Sequence, residues 1–176
     1  MMPIGPMMIE HRRIERMISV MGKGLRRIQD EKKVDPAKID VFVDFIRVYA
    51  DRCHHGKEEG ILFRDLVKKD ISEDHRKIME ELISEHQWGR RTTAQLVDAN
   101  RSYAGGDKKS ISVIMDCLKA LTDFYPKHIE KEDRRFFIPV MDYFSSEEKN
   151  TMLEEGYAFD RKLIHEKYEE IVSQME

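Results

Sequence analysis

Apolar residues recur at intervals of three and four along most of the chain, which is the spacing of one face of an α-helix. Alternation with a period of two, typical of strands, is not sustained anywhere. The apolar stripes predict helices over about residues 8–29, 36–68, 72–103, 107–139 and 146–174. We therefore predict an all-α protein.

The predicted helices are separated by short connections with recognisable start signals. Each helix after the first has a capping residue at its beginning: Asp35 before Pro36, Ser72, Asp107, and Ser145 with Glu148 as a capping box. Short connections make successive helices antiparallel. We predict an up-down-up-down four-helix bundle over about residues 8–142, with an additional C-terminal helix over about 146–174, in a single domain spanning 1–176.

The composition narrows the classes of function. The chain has 176 residues, of which 37% are charged, and its formal net charge of -3 offers no electrostatic surface for nucleic acid. Cys53 and Cys117 lack metal-binding or disulfide spacing and are read as small buried residues of a reducing compartment. No stretch approaches the roughly 20 apolar residues of a membrane span. We expect a soluble cytoplasmic protein without nucleic-acid or membrane partners.

One motif occurs twice, and the residues shared by its copies are of the types that bind metals. His54 is followed four positions later by Glu58, and His128 is followed four positions later by Glu132. A second acid and then a phenylalanine follow at matching offsets: Glu59 and Phe63 in the first copy, Asp133 and Phe137 in the second. A Glu-His step precedes each copy, Glu10-His11 and Glu85-His86. The chain therefore looks like two copies of one unit.

The helix lengths place these histidines and glutamates at one height in the bundle. A histidine and a glutamate four residues apart lie on one helix face, about 6 Å from each other. Measured from the predicted turns at about 1.5 Å per residue, His11, His54, His86 and His128 reach the same level. An isolated His-x-x-x-Glu pair, such as His11 with Glu15, is usually a surface ion pair. The repeat and the matched heights instead favour a buried metal site, because cations would satisfy the buried polar groups.

The ligand types favour particular metals. Imidazole and carboxylate without thiolate suit iron, manganese or zinc. Two glutamates can bridge two ions, with two histidines completing each side, whereas a structural zinc site is single and closed. Ferritin-like bundles use Glu-x-x-His, a spacing that does not occur here.

These motifs resemble those of the hemerythrin-like family, the HHE cation-binding domain, over roughly residues 8–142. The resemblance implies a four-helix bundle around a non-haem centre of two iron ions, bridged by carboxylates or by an oxo or hydroxo group, with zinc or manganese as alternatives. It further implies that the terminal ligands are His11, His54, His86 and His128, and that the bridging ligands are Glu58 and Glu132.

The number of histidines departs from that of the respiratory hemerythrins. Those proteins have two histidines, four residues apart, on the third helix, whereas His86 has Leu82 and Arg90 at these spacings. His55 or Tyr125 could replace the missing ligand. The departure disfavours simple reversible oxygen carriage and favours reaction with nitric oxide or peroxide, or their sensing.

Several neighbouring residues have alternative interpretations. His55 and Glu59 offer a second register for the first motif, although alignment on the phenylalanine that ends each copy places Glu59 opposite Asp133 instead. Tyr125 is also compatible with a purely core position. Glu10 and Glu85 directly precede ligand candidates and could orient a histidine on a neighbouring helix.

Three functions are compatible with this reading. The first is a di-iron protein that binds a diatomic ligand, dioxygen or nitric oxide, for storage, sensing or protection. The second is an enzyme that consumes peroxide or nitric oxide or repairs iron clusters. The third is a metal buffer or a bundle held together by its ions. The sequence does not indicate a protein partner.

Overall fold

The computed structural model describes residues 2–175, which form five helices and contain no strand. Helix α1 spans Ile4–Glu31 and α3 spans Glu73–Ala104, and both are continuous α-helices. Helix α5 spans Ser146–Met175. The all-α prediction is confirmed.

Helices α2 and α4 each contain π-helical turns around the repeated motif. Helix α2, residues 36–66, consists of α-helical Pro36–Asp44, π-helical Phe45–His55 and Glu58–Phe63, and α-helical Arg64–Leu66. Helix α4, residues 108–143, consists of Lys108–Ser110, Ile111–Lys131, π-helical Glu132–Phe136, Phe137–Val140 and Met141–Tyr143. A π-helical turn starts at the glutamate of each copy of the motif. Such turns hold one more residue than α-helical turns and are frequent at functional sites.

The first four helices pack around a common axis. Helix α1 packs against α4, α3 packs against both α4 and α2, and α2 also contacts α1. The connecting segments are short, so successive helices are antiparallel. Helix α5 packs on the outside of the bundle, against the π-helical part of α2. The predicted bundle with an additional C-terminal helix is therefore confirmed.

The capping residues act as the sequence predicts. Asp35 and Ser72 accept hydrogen bonds from backbone N–H groups in the first turns of α2 and α3. Ser145 and Glu148 form a reciprocal capping box at the start of α5, with distances of 3.2 and 2.8 Å. The predicted start of the first helix at Met8 is wrong, because α1 begins at Ile4. The Pro-rich start fits the first helical turn, where proline is tolerated.

The apolar core consists of two clusters with a polar layer between them. One cluster includes Ile14, Leu96 and Leu118, and the other includes Met7, Leu82 and Phe136, among others. On α1, Met7 belongs to one cluster and Ile14 to the other, so residue 11 lies between them. The two clusters shield this layer from water.

Two further sequence expectations concern the cysteines and membrane spans. Cys53 and Cys117 are both free and buried. Among the residues described, none of the helices combines the length and apolar character needed to cross a membrane.

Candidate metal centre

The six side chains predicted as ligands meet in the polar layer between the two apolar clusters. They come from all four helices of the bundle, and none is more than 2% exposed: His11, His54, Glu58, His86, His128 and Glu132. The ring centroids of His11 and His54 are 4.4 Å apart, and those of His86 and His128 are 5.1 Å apart. The structure thus brings the whole predicted set together at one level.

The glutamate of the first motif connects two histidines on different helices. Oε1 of Glu58 lies 3.2 Å from Nε2 of His54, on the same helix. Its other oxygen, Oε2, lies 3.2 Å from Nε2 of His86, on α3. One carboxylate therefore faces two imidazoles, each with a different oxygen.

The glutamate of the second motif repeats this arrangement. Oε1 of Glu132 lies 3.2 Å from Nε2 of His128, and Oε2 lies 3.1 Å from Nε2 of His11. The two carboxylates thus span the same two pairs of histidines from opposite sides. This geometry suits carboxylates that bridge two cations.

The atoms that face one another in this layer have no hydrogen-bond partner within the described structure. They are Nε2 of the four histidines and both carboxylate oxygens of Glu58 and Glu132. The nitrogen–oxygen distances are short, but their directions do not suit hydrogen bonds. Two atoms bound at right angles to one ion, about 2.1 Å from it, also lie about 3 Å apart. Since a buried unpaired polar atom costs about 1–3 kcal/mol, the arrangement fits metal ions.

A carboxylate outside this layer holds the second nitrogen of each histidine. Nδ1 of His54 is 2.9 Å from Oε2 of Glu10, and Nδ1 of His128 is 2.7 Å from Oε2 of Glu85. Both glutamates lie on the helix that precedes the histidine's helix in the chain, so each makes the contact with a neighbouring helix that its predicted orienting role requires. Such contacts fix the ring and its tautomer, leaving Nε2 free to bind a metal.

The other two histidines are held by the second acid of each motif. Nδ1 of His11 is 2.7 Å from Oδ1 of Asp133, and Nδ1 of His86 is 2.7 Å from Oε1 of Glu59. Glu59 therefore points away from the centre of the site and orients a histidine, which favours the His54/Glu58 register. This role of Glu59 is not predicted from the sequence, although the alignment of Glu59 with Asp133 contains the signal.

The repeated phenylalanines form the walls of the site. Phe137 stacks on His11 at a centroid distance of 5.4 Å, and Phe63 stacks on His86 at 6.1 Å. Each aromatic ring lies almost parallel to its imidazole, at 5° and 9° respectively. Each copy of the motif thus supplies a histidine that is a ligand candidate. It also supplies a phenylalanine whose ring limits the rotation of a histidine outside the motif, His86 for the first copy and His11 for the second.

His55 is a seventh polar side chain at this level. It is buried, and its ring stacks on that of His86 with 3.8 Å between centroids. Each of His55, His86 and His128 offers a nitrogen within 4.8 Å of the others. Burial, followed by the nearby His86, lowers the pKa of His55 well below its ordinary value, which favours the neutral ring. His55 therefore lies within reach of any ion held by His86 and His128.

The electrostatics of the layer favour positive charge. Burial alone would lower the pKa of His54, but Glu58 and Glu10 raise it to about 10. Burial would likewise lower the pKa of His86, but Glu132 and Glu58 raise it to about 11. Burial and the charge of Glu58 act to raise the pKa of Glu132, yet the surrounding histidines lower it to about 2. The carboxylates of Glu58 and Glu132 thus remain ionised, and cations bound beside them would neutralise their charge.

A cavity of about 210 Å³ opens beside His55 and His86, between α2, α3 and α4. Its other walls include Tyr125, Gly89 and the pair formed by Arg90 and Asp51. Tyr125 is 2% exposed and belongs to the apolar core, and burial raises the pKa of its phenol. The cavity therefore reaches two histidines of the polar layer, His55 and His86.

The bundle and its buried histidine–carboxylate layer define a class, that of helical metal-binding proteins. The family model for the hemerythrin HHE cation-binding domain matches residues 2–138, and the chain belongs to this family.

The relatives found among curated proteins are similar over the same region. The uncharacterized proteins Mb2018 of Mycobacterium bovis and Rv1995 of Mycobacterium tuberculosis are each 24% identical to this chain over 148 residues. The match covers 84% of this chain and 57% of each relative, so the chain spans a little over half their length. No solved structure matches the chain significantly.

Proposed function

We propose that the buried layer binds two iron ions and that the protein uses them to bind a diatomic ligand, dioxygen or nitric oxide, for storage, sensing or protection. The observation that carries this proposal is the set of eight buried side-chain atoms that face one another without hydrogen-bond partners. Four are imidazole nitrogens and four are carboxylate oxygens, a donor set that suits iron.

The donors divide into two sets, one for each ion. His11 and His54 would hold the first ion together with Glu58 and Glu132, whose Oε1 and Oε2 atoms, respectively, face these two histidines. His86 and His128 would hold the second ion together with the same two glutamates, whose other oxygens face this pair. His55 is available only to the second set, so the two ions have different surroundings.

Iron, when bound, supplies a redox-active Lewis acid to which a diatomic molecule can bind. The surrounding side chains prepare the site for it. The outer carboxylates keep the Nδ1 protons in place, so that each Nε2 atom faces the layer. The apolar clusters exclude water, while the cavity beside His55 and His86 would admit the ligand on the side of the second histidine pair.

The size of that cavity also favours a second function. A water molecule occupies about 30 Å³ in the liquid, so a cavity of about 210 Å³ has room for more than a diatomic molecule. Peroxide would fit, and the ion pair of Arg90 and Asp51 at the cavity, whose side chains are 39% and 25% exposed, would provide polar contacts for it. The enzyme alternative is consumption of peroxide or nitric oxide.

The test is metal analysis of protein purified without air, followed by absorption spectra before and after air is admitted. We expect two irons per chain and new near-ultraviolet and visible bands on exposure. His128→Ala should lower the iron content and abolish the bands, whereas His165→Ala, a change at an exposed histidine, should alter neither. Full iron content without any spectral change would refute diatomic binding.

A kinetic measurement separates binding from turnover. Reduced protein is mixed with an excess of hydrogen peroxide or nitric oxide, and consumption is followed over time. One equivalent consumed per iron pair supports the binding function. Sustained consumption that disappears in His128→Ala supports the enzyme instead.

A further inference from the structure

Helix α5 contacts a buried lysine next to the candidate metal centre. Oδ1 of Asp160, on α5, is 2.6 Å from Nζ of Lys57, on α2. Lys57 is only 4% exposed, and its ammonium also donates to Oε1 of Glu10 on α1. The Sγ atom of Cys53 lies 3.5 Å from the same nitrogen. Three elements therefore meet at one buried cation.

One residue, Glu10, connects this lysine to the ligand candidate His54. Glu10 binds Lys57 with one carboxylate oxygen and accepts from Nδ1 of His54 with the other, at 2.9 Å. An unbroken chain of charged contacts thus runs from Asp160 through Lys57 and Glu10 to His54. The family model ends at residue 138, so Asp160 lies outside the matched region.

The duplication supplies an internal comparison. Lys57 and Lys131 occupy the same position, three residues after His54 and His128. Lys131 binds Glu85 at 2.6 Å and Glu81 at 3.2 Å, both on α3 of the bundle, and its side chain is 18% exposed. Within the part of the chain that the structure describes, Lys57 is the one of these two lysines that has a partner on α5.

The chemistry of a buried lysine explains why this partner matters. A buried ammonium is costly unless carboxylates compensate it. With Asp160 in place, the charge of Lys57 is shared between two carboxylates, and one oxygen of Glu10 remains available to His54. Without Asp160, Glu10 would be the remaining carboxylate for Lys57 and would be drawn away from the imidazole.

The same cluster could in principle be a metal site, since Glu10, Cys53 and Asp160 offer atoms within 4.8 Å of one another. The ammonium of Lys57, however, contacts all three and supplies the cation itself. Burial also raises the pKa of the Cys53 thiol to about 12, so it stays protonated. The cluster is therefore a salt-bridge network, centred on Lys57, that connects helices α1, α2 and α5.

We propose that helix α5 is coupled to the metal centre through Asp160, Lys57 and Glu10. Docking of α5 sets the hydrogen bond from His54 to Glu10 and thereby strengthens metal binding at the His11/His54 half. By linkage, metal binding must hold α5 in place to the same degree. Asp160 and Lys57 are positioning residues in this scheme. The proposal rests on the metal centre of the proposed function but not on its diatomic ligand.

The test measures the zinc affinity of the full-length chain by competition with a chromophoric chelator. Asp160→Asn should weaken the affinity of one of the two ions by about tenfold, the low end of the range for groups that orient a ligand. The matched control is Glu155→Gln, which removes the same charge from α5 and breaks another contact with α2, the pair with Arg64 at 2.9 Å. The zinc affinity of Glu155→Gln should stay within about twofold of that of the unchanged chain. Asp160→Glu should restore much of the loss.

A second measurement tests the reverse direction of the coupling. Trypsin cuts after Arg161 and Lys162, next to Asp160, and zinc should slow this cleavage in the unchanged chain and in Glu155→Gln. In Asp160→Asn the protection by zinc should be largely lost. If Asp160 merely held α5 on the bundle, Asp160→Asn and Glu155→Gln would both lower the melting temperature of the metal-free chain. The zinc affinities of the two variants would then be equal.

The outcomes separate this proposal from the metal centre. Equal zinc affinity in Asp160→Asn, Glu155→Gln and the unchanged chain overturns the coupling and leaves the metal centre intact. Failure of the unchanged chain to bind zinc or iron overturns the metal centre and the coupling together. Loss of diatomic binding with normal zinc affinities refutes only the proposed ligand.

Discussion

The role of Glu59 decides between the two registers of the first motif, and replacing it with glutamine tests that role. In the structure, Oε1 of Glu59 lies 2.7 Å from Nδ1 of His86 and 2.9 Å from Nη2 of Arg90. Glu58, not Glu59, faces the other ligand candidates. We therefore expect Glu59→Gln to weaken metal binding without removing a ligand.

The size of the effect follows from this contact. A hydrogen bond to a charged group contributes about 1.5–3 kcal/mol. Glutamine keeps an acceptor oxygen but loses the charge, and the side chain of Glu59 is 32% exposed, so water replaces part of the interaction. We expect metal affinity to fall about 10–100-fold, or about 1.4–2.7 kcal/mol. The number of metal ions per chain should remain two.

The assay combines elemental analysis with a chelator competition titration. Glu58→Gln serves as the contrasting variant, because it removes a carboxylate that faces both histidine pairs and should lower the number of bound ions. Asp133→Asn is the equivalent change in the second copy, since Asp133 binds Nδ1 of His11 at 2.7 Å. Like Glu59→Gln, Asp133→Asn should lower the metal affinity and leave the number of bound ions unchanged. Loss of an ion in Glu59→Gln, with normal stoichiometry in Glu58→Gln, would refute the assignment and favour the alternative register.

Three further predictions concern packing, access and metal removal. A Cβ atom at Gly56 would lie 2.9 Å from Cζ of Phe159, so Gly56→Ala should lower the free energy of unfolding by about 1–3 kcal/mol in denaturant titrations. Gly60→Ala, which meets no atom within 4 Å, should instead be neutral or stabilising by up to about 1 kcal/mol; equal effects would contradict the packing of α5 on α2. Gly89→Val should narrow the cavity beside His86 and slow ligand binding in stopped-flow traces, while iron content stays unchanged; an unaltered rate would mean that the ligand enters elsewhere. Removing one of the two metal ions from protein held at a free metal concentration a thousand times the Kd of that site should cost about 4 kcal/mol. This corresponds to a melting temperature lower by about 8–16 °C, and an unchanged melting temperature would contradict ion binding between the helices.

Features that depend on neighbours in the chain were predicted well. Helix starts at Asp35, Ser72 and Ser145 were found because a capping side chain acts on N–H groups only two or three residues away. The start of α1 was misplaced because Pro3 and Pro6 resemble loop residues, although the first helical turn accepts proline. Burial of Ile4 and Met7 in the core favours this earlier start.

The six predicted site residues met at one level because helix geometry turns residue counts into distances. The rise per residue is constant, so counts from each turn to His11, His54, His86 and His128 give their heights. The spacing of four in each motif then places Glu58 and Glu132 on the same helix faces as their histidines. That these residues bind metal remains a proposal.

What only the tertiary structure decided is how each helix is rotated and which side chains meet across the bundle. The π-helical turns of α2 bury both His54 and His55, and this local widening was not visible in the spacing of apolar residues. The contacts of Glu59 with His86, and of Asp160 with Lys57, join residues distant in the chain. Sequence periodicity fixes the height and approximate face of a side chain, but its partner depends on packing between helices. The duplicated motif thus determined the composition of the layer, and the packing determined its neighbours.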